Sequence, residues 1–138
     1  AGAPAGYYFE YNKLIEKSQG RVQFLGQVTD EELANLYKGA KAFLALAKDE
    51  DFGITPVEAM MSSTPVIAYN GGGYKETVLQ GRTGILFDNY SVEGLIEAIK
   101  KFEEMKFDSK EIMDQAEKFN KERFKSEIEN FVKSKIKD

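Results

Sequence analysis

Neither cysteine nor histidine occurs anywhere in the 138 residues. Without thiols there can be no disulfide and no thiolate metal site, and without imidazole the usual metal ligand and general base are both missing. Zinc, haem and catalytic-triad chemistry are therefore set aside, and no metal and no cofactor is expected. Long hydrophobic runs are also lacking. The apolar run 43–47 falls far short of the roughly 20 residues of a membrane-spanning helix, and the N-terminus has no basic-then-apolar signal pattern. The expectation is a soluble, cytoplasmic protein. An excess of positive charge is absent too: 19 Lys and Arg face 23 Asp and Glu, for a formal charge of −4. That leaves no basic footprint for a nucleic-acid backbone.

What is present is enough for one core. With 42% hydrophobic and 30% charged residues, residues 1–138 read as a single domain, with 109–138 set apart as a helical tail. Residues 1–6 are a small-residue Gly/Pro loop whose preceding strand is expected to be missing. Residues 7–19 suit a helix closed by Gly20, and 22–25 a short apolar strand. Thr29 followed by Glu32 has capping-box spacing ahead of Leu33, Leu36 and Tyr37. Residues 42–46 read as a strand covered on both faces. A helix capped by Gly53 runs through Met61, with Pro56 tolerated in the first turn. Strand 66–68, helix 74–79, strand 85–87 and helix 91–102 follow. Asp108 caps a further helical segment, and 119–136 is a charged amphipathic helix.

Strands alternating with helices at this pitch imply an α/β fold, a Rossmann-like parallel sheet with helices on both faces. Such sheets bind ligands at the carboxyl ends of their strands. The loops to watch are 1–6, 26–29, 47–53 and 69–73. The most informative stretch is 50–58, Glu-Asp-Phe-Gly-Ile-Thr-Pro-Val-Glu. The free N–H groups of the first turn, around Gly53, Ile54 and Thr55, form with the helix dipole a site for a phosphate. Glu50 and Glu58 carry carboxylates suited to sugar and ribose hydroxyls. A helix opening with Gly and bearing one Glu is common, so spacing alone leaves a purely structural role open.

This stretch resembles the Glu-x-Phe-Gly-x-x-x-x-Glu-Ala-Met signature of the retaining glycosyltransferase family numbered four, matched at Glu50, Phe52, Gly53, Glu58, Ala59 and Met60. The resemblance continues in Val22-Gln-Phe-Leu-Gly-Gln-Val28, Pro65-Val-Ile-Ala68, Gly72-Gly73-x-x-Glu76-x-Val78 and Gly81-x-x-Gly84, and is nearest to mannosyltransferase-like members. It implies the C-terminal, donor-binding lobe of a GT-B fold. The implied roles put Glu50 and the backbone of Phe52, Gly53, Ile54 and Thr55 on the transferred sugar and distal phosphate, and Glu58 on the ribose. Gly26, Gln27 and Val28 would border the base. Gly72, Gly73 and Glu76 read rather as a structural turn and helix start.

The resemblance further implies transfer of a sugar from a nucleotide-diphosphate sugar, with GDP-mannose the candidate donor, to a glycan or lipid acceptor with retention. Partners are then the nucleotide sugar and an N-terminal acceptor lobe, which would also carry any membrane association. The family's basic diphosphate ligands belong to a first strand–helix unit that the sequence before Tyr7 does not supply. Ser63 stands where the family has Gly, so a left-handed helix end there would cost on the order of 1 kcal/mol. A glycosidase using Glu50 and Glu58 as its carboxylate pair is disfavoured, because Glu58 would sit within a helix. The alternative to an enzyme lobe is a non-catalytic nucleotide-fold scaffold that self-associates as a homodimer.

Overall fold

The computed structural model describes residues 8–136, which fall into two compact units divided between Leu36 and Tyr37. In the first unit, helix α1 (Tyr8–Ser18) ends in a left-handed turn at Gln19 and Gly20, with φ of 49° and 74°. Glycine tolerates that turn because it has no Cβ to meet the following carbonyl. Helix α2 (Asp30–Gly39) starts with the expected capping box: the Thr29 backbone N–H donates to Glu32 Oε2 at 2.8 Å, and the Glu32 N–H donates to Thr29 Oγ1 at 3.3 Å. The Thr29 N–H, together with the Thr29 hydroxyl at 3.0 Å from the same Oε2, holds the Glu32 carboxyl below its ordinary value.

Residues 22–25 do not form the expected strand. They belong to no ladder, and Val22 and Leu25 are exposed. Apolar content supplies only the propensity for a strand, whereas the strand itself needs a partner to satisfy its N–H and C=O groups. The loop 1–6 and the side chains of Tyr7, Tyr8 and Tyr11, a cluster whose composition suits core or interface better than base stacking, lie outside the described residues.

The second unit is built on a parallel three-stranded sheet, β1 (Phe43–Ala45), β2 (Val66–Tyr69) and β3 (Gly84–Phe87), in the order β1-β2-β3. Phe43 pairs with Val66, and Val66 with Gly84. Helix α3 (Ile54–Met61) connects β1 to β2, and the single turn α4 (Tyr74–Thr77) leads to β3. Helices α5 (Val92–Glu103), α6 (Ser109–Glu117) and α7 (Lys121–Lys135) follow.

The two-residue period of β2 sorts the core onto two faces. Val66 and Ala68 point to one side and pack with Met60 of α3, Tyr74 of α4, and Ile112 and Ala116 of α6. Ile67 points to the other, with Ile85, Phe87 and Ala98 of α5. Helices thus cover both faces of the middle strand, a continuous apolar run because neither face meets water. By contrast β1, expected to be covered on both faces, leaves Leu44 exposed because α5 packs on β2 and β3. Side-chain caps set the later helix starts, the expected one at Asp108 and a further one at Ser91. Asp108 Oδ1 accepts the Glu111 N–H at 2.9 Å, and Ser91 Oγ accepts that of Gly94 at 3.1 Å.

Two expected boundaries shift. The helix expected over 74–79 stops at Thr77, since Thr83 Oγ1 takes the Leu79 N–H at 2.9 Å and the Thr83 N–H returns to the Leu79 carbonyl. That exchange closes a tight turn in place of a second helical turn. The last helix begins at Lys121 instead of Phe119, because Asn120 Oδ1 accepts the Arg123 N–H at 2.8 Å and so acts as its cap.

Candidate functional site

The carboxyl ends of β1 and β2 release two loops, 46–53 and 70–73, whose backbones lie against each other. The Gly73 N–H donates to the Glu50 carbonyl at 2.8 Å. A Cβ on Gly72 would stand 2.1 Å from the Glu50 carbonyl oxygen, and one on Gly73 2.4 Å from Phe52 Cα. Only hydrogen fits at either place, so the Gly-Gly pair sets how closely the second loop supports the first.

Gly53 opens α3 in the left-handed conformation, with φ 81°. The same position lies against the Tyr74 ring, where a Cβ would approach Cδ1 to 2.8 Å. No acidic side chain occupies the first turn of α3. The Gly53 N–H instead donates to Glu50 Oε1 at 3.2 Å. The carboxylate of Glu50 therefore sits at the positive end of the helix dipole, on the first of the N–H groups suited to an anion. Ile54 and Thr55 follow in the exposed first turn, and Phe52 is partly exposed beside them.

Glu58 lies one turn further along α3, exposed, with Oε2 at 3.5 Å from the Tyr37 hydroxyl. Burial pushes the Tyr37 hydroxyl above its ordinary value, and the Glu58 charge adds to the effect. Tyr37 thus stays protonated at neutral pH and faces Glu58 as a donor. The Tyr74 hydroxyl is likewise raised, first by burial and then by the Glu50 charge, while a backbone hydrogen bond from Ala47 opposes the shift. Each signature carboxylate consequently has a tyrosine beside it. A groove of about 740 Å³ lies between α3 and the start of α7, lined by Ile54, Val57 and Met61 on one side and Phe119 and Phe124 on the other, and bordered by Glu58.

The structure brings Glu50, Phe52, Gly53, Ile54, Thr55 and Glu58 together on one loop and helix start. Gly26, Gln27 and Val28 belong to the first unit, where Gly26 turns the chain with φ 65°. Among the described residues no group of three or more acidic side chains is arranged to hold a metal ion. Sequence reasoning missed Tyr37 and Tyr90, and it favoured a solvated position for Tyr74, which is instead buried as a wall for Gly53. Their contacts join residues far apart in the chain, and no local pattern marks them.

A sequence profile described as "Glycosyl transferases group 1" matches residues 3–124. The chain belongs to this glycosyltransferase family. Within the family it is 38% identical over 79 residues to the lipopolysaccharide core biosynthesis mannosyltransferase LpcC of Rhizobium leguminosarum bv. viciae, a match covering 57% of this chain and 22% of that protein. It is 36% identical over 98 residues to the alpha-1,3/1,6-mannosyltransferase ALG2 of Mus musculus, covering 70% and 23% respectively. The chain therefore spans about a quarter or less of these relatives. Its backbone also superposes on Anabaena Alr3699/HepE, solved in complex with UDP and glucose, with a TM-score of 0.73 and 25% identity. That match covers 96% of this chain and 39% of HepE. The fold is that of GT-B glycosyltransferases, and no described helix is long and apolar enough to cross a membrane.

Proposed function

We propose that this glycosyltransferase-family chain is a donor-binding, C-terminal lobe that holds a nucleoside-diphosphate sugar at the strand ends of its second unit, within a retaining enzyme of family four. The observation that carries this reading is the placement of Glu50 and Glu58 around the open first turn of α3. One carboxylate sits at the mouth of the helix and the other a turn along it, on the edge of the α3 groove. The first-turn N–H groups suit the distal phosphate, Glu50 the hydroxyls of the transferred sugar and Glu58 the ribose diol. The HepE complex with UDP and glucose supports a nucleotide sugar as the ligand class. The mannosyltransferase relatives make GDP-mannose the first donor to try.

In this reading the lobe orients the donor and stabilises the charge that grows on the departing diphosphate, while the acceptor enters on the same face from a second lobe. No residue needs to act as a nucleophile, and no metal is invoked. The test is a calorimetric titration of the chain and of Glu58→Ala with GDP, UDP, ADP and their sugar conjugates. One nucleotide is expected to bind, and Glu58→Ala to weaken it about ten-fold or more, the loss of a charge-assisted hydrogen bond. No binding at millimolar ligand, or equal binding by the variant, would reject the assignment.

A further inference from the structure

Tyr90 lies just beyond β3, with its side chain at the carboxyl ends of the strands. Its hydroxyl donates to the Leu46 carbonyl at 2.9 Å, 44 residues earlier in the chain. Leu46 is the first residue after β1, and the loop bearing Glu50 departs from it. The Tyr90 ring is held edge-on to Tyr69, with centroids 4.8 Å apart, and Tyr69 in turn packs edge-on against Phe87 at 5.9 Å. A lysine from the loop itself, Lys48, places its Nζ 6.0 Å from the centre of the Tyr90 ring. The ring is half exposed, with 52% of its residue surface accessible. A large aromatic in that position is not there to fill the core.

Apart from the hydrogen bond of Gly73 to Glu50, the far end of the loop is fixed by helix α3. The near end is held less tightly: the Ala47 backbone reaches the buried Tyr74 hydroxyl, and the residue before it, Leu46, lies beyond the ladder. β1 has a strand partner on one side only, and its last paired residue is Ala45. The Leu46 carbonyl, just past the ladder, finds its donor in the Tyr90 hydroxyl. A tyrosine can do this where a phenylalanine cannot, since only the phenol carries a donor.

We propose that Tyr90 is a positioning residue, tethering the start of the 46–53 loop to the end of β3 and thereby fixing where the Glu50 carboxylate stands. The tether joins the third strand to the loop after the first, across the second, so the three strand ends move as one body. Tyr90 does not touch the ligand in this scheme. It acts through Leu46, and its effect on binding rests on the donor-site reading given above.

The test uses the 138-residue chain and Tyr90→Phe, which keeps the ring on Tyr69 and removes only the donor. Hydrogen exchange at the Gly73 amide, bonded to the Glu50 carbonyl, reports the loop directly. It is expected to quicken about five-fold in the variant, the scale of one net hydrogen bond, with global stability in urea falling by no more than the same ~1 kcal/mol. Calorimetry with UDP-glucose against UDP, and GDP-mannose against GDP, reports the carboxylate: the preference for the sugar conjugate should fall several-fold in Tyr90→Phe, with binding of the bare nucleotide nearly unaltered. Unchanged Gly73 exchange overturns the tether. Quickened exchange with an unchanged sugar preference overturns its positioning role. If the unsubstituted chain binds neither pair, the donor-site reading fails, and the exchange result alone decides whether Tyr90 holds the loop.

Discussion

Helices α3 and α7 differ in the opposite sense from what their lengths suggest. α3 has eight residues, too few to be stable as an isolated helix, yet Pro56, Ala59 and Met60 are buried and it packs on the sheet and on α6. α7 has fifteen, with a side-chain cap and an Arg123–Glu127 ion pair, and none of its residues is buried. Intrinsic helix formation is marginal at either length, so tertiary burial decides which helix is rigid. The candidate site is mounted on the short, enclosed one. Precision at a binding site comes from the packing beneath it, and α3 has that packing on its inner side while its outer side faces an open groove whose far wall is the start of α7.

The sharpest way to break this comparison is to remove the burial under α3. Met60 is fully buried between α3 and the sheet. Met60→Ala should cost about 2–5 kcal/mol, the range for emptying a close-packed core position. Urea denaturation followed by circular dichroism measures it. A loss below about 1 kcal/mol would mean that α3 is held by its ends and not by its buried face.

The second prediction concerns one of those ends. Ser63, two residues past α3, adopts a left-handed conformation with φ 64°, where a side chain crowds the backbone. Ser63→Gly should stabilise the chain by about 1 kcal/mol, since the strain relieved exceeds the extra chain entropy of glycine. The same denaturation experiment reads it, and a loss of stability would show that Ser63 contributes something its backbone geometry does not reveal.

Ser63 also illustrates what was legible in the sequence. Its left-handed turn was expected only through the family's Gly at that place, whereas the Thr29–Glu32 capping box, the Asp108 cap, the Gly53 opening of α3 and the positions of the three strands follow from local chemistry. A cap needs one side chain at one spacing, and a buried parallel strand announces itself as an unbroken apolar run. The misplaced features are those whose outcome depends on distant partners. Residues 22–25 have the composition of a strand and no ladder, and α4 is cut short by the Thr83 hydroxyl. Within the site, the Glu50–Glu58 spacing was readable along the chain. The Tyr37 hydroxyl opposite Glu58, the Tyr74 ring against Gly53 and the Tyr90 tether were not, because each joins residues 21 or more positions apart. Nor does spacing reveal that Glu50 already engages the helix mouth through the Gly53 N–H, a bond that a phosphate docking there would have to share or displace.

The smallest expected effect lies on α7. Phe124, Ile128, Phe131 and Val132 form an apolar stripe at helical spacing, and all four are well exposed, Ile128 at 48%. Truncating a side chain that already contacts water forfeits little transfer free energy, and alanine is the better helix former, so the two terms nearly cancel. Ile128→Ala should change stability by less than about 0.5 kcal/mol, as is usual for surface positions. A loss above about 1 kcal/mol would break the comparison by showing that the stripe is covered in solution. Repeating the measurement over a hundred-fold range of protein concentration then separates the two ways of covering it. A loss that grows with concentration means that copies of the chain bury the stripe against each other, while a constant loss means that α7 folds back on its own unit and is as enclosed as α3.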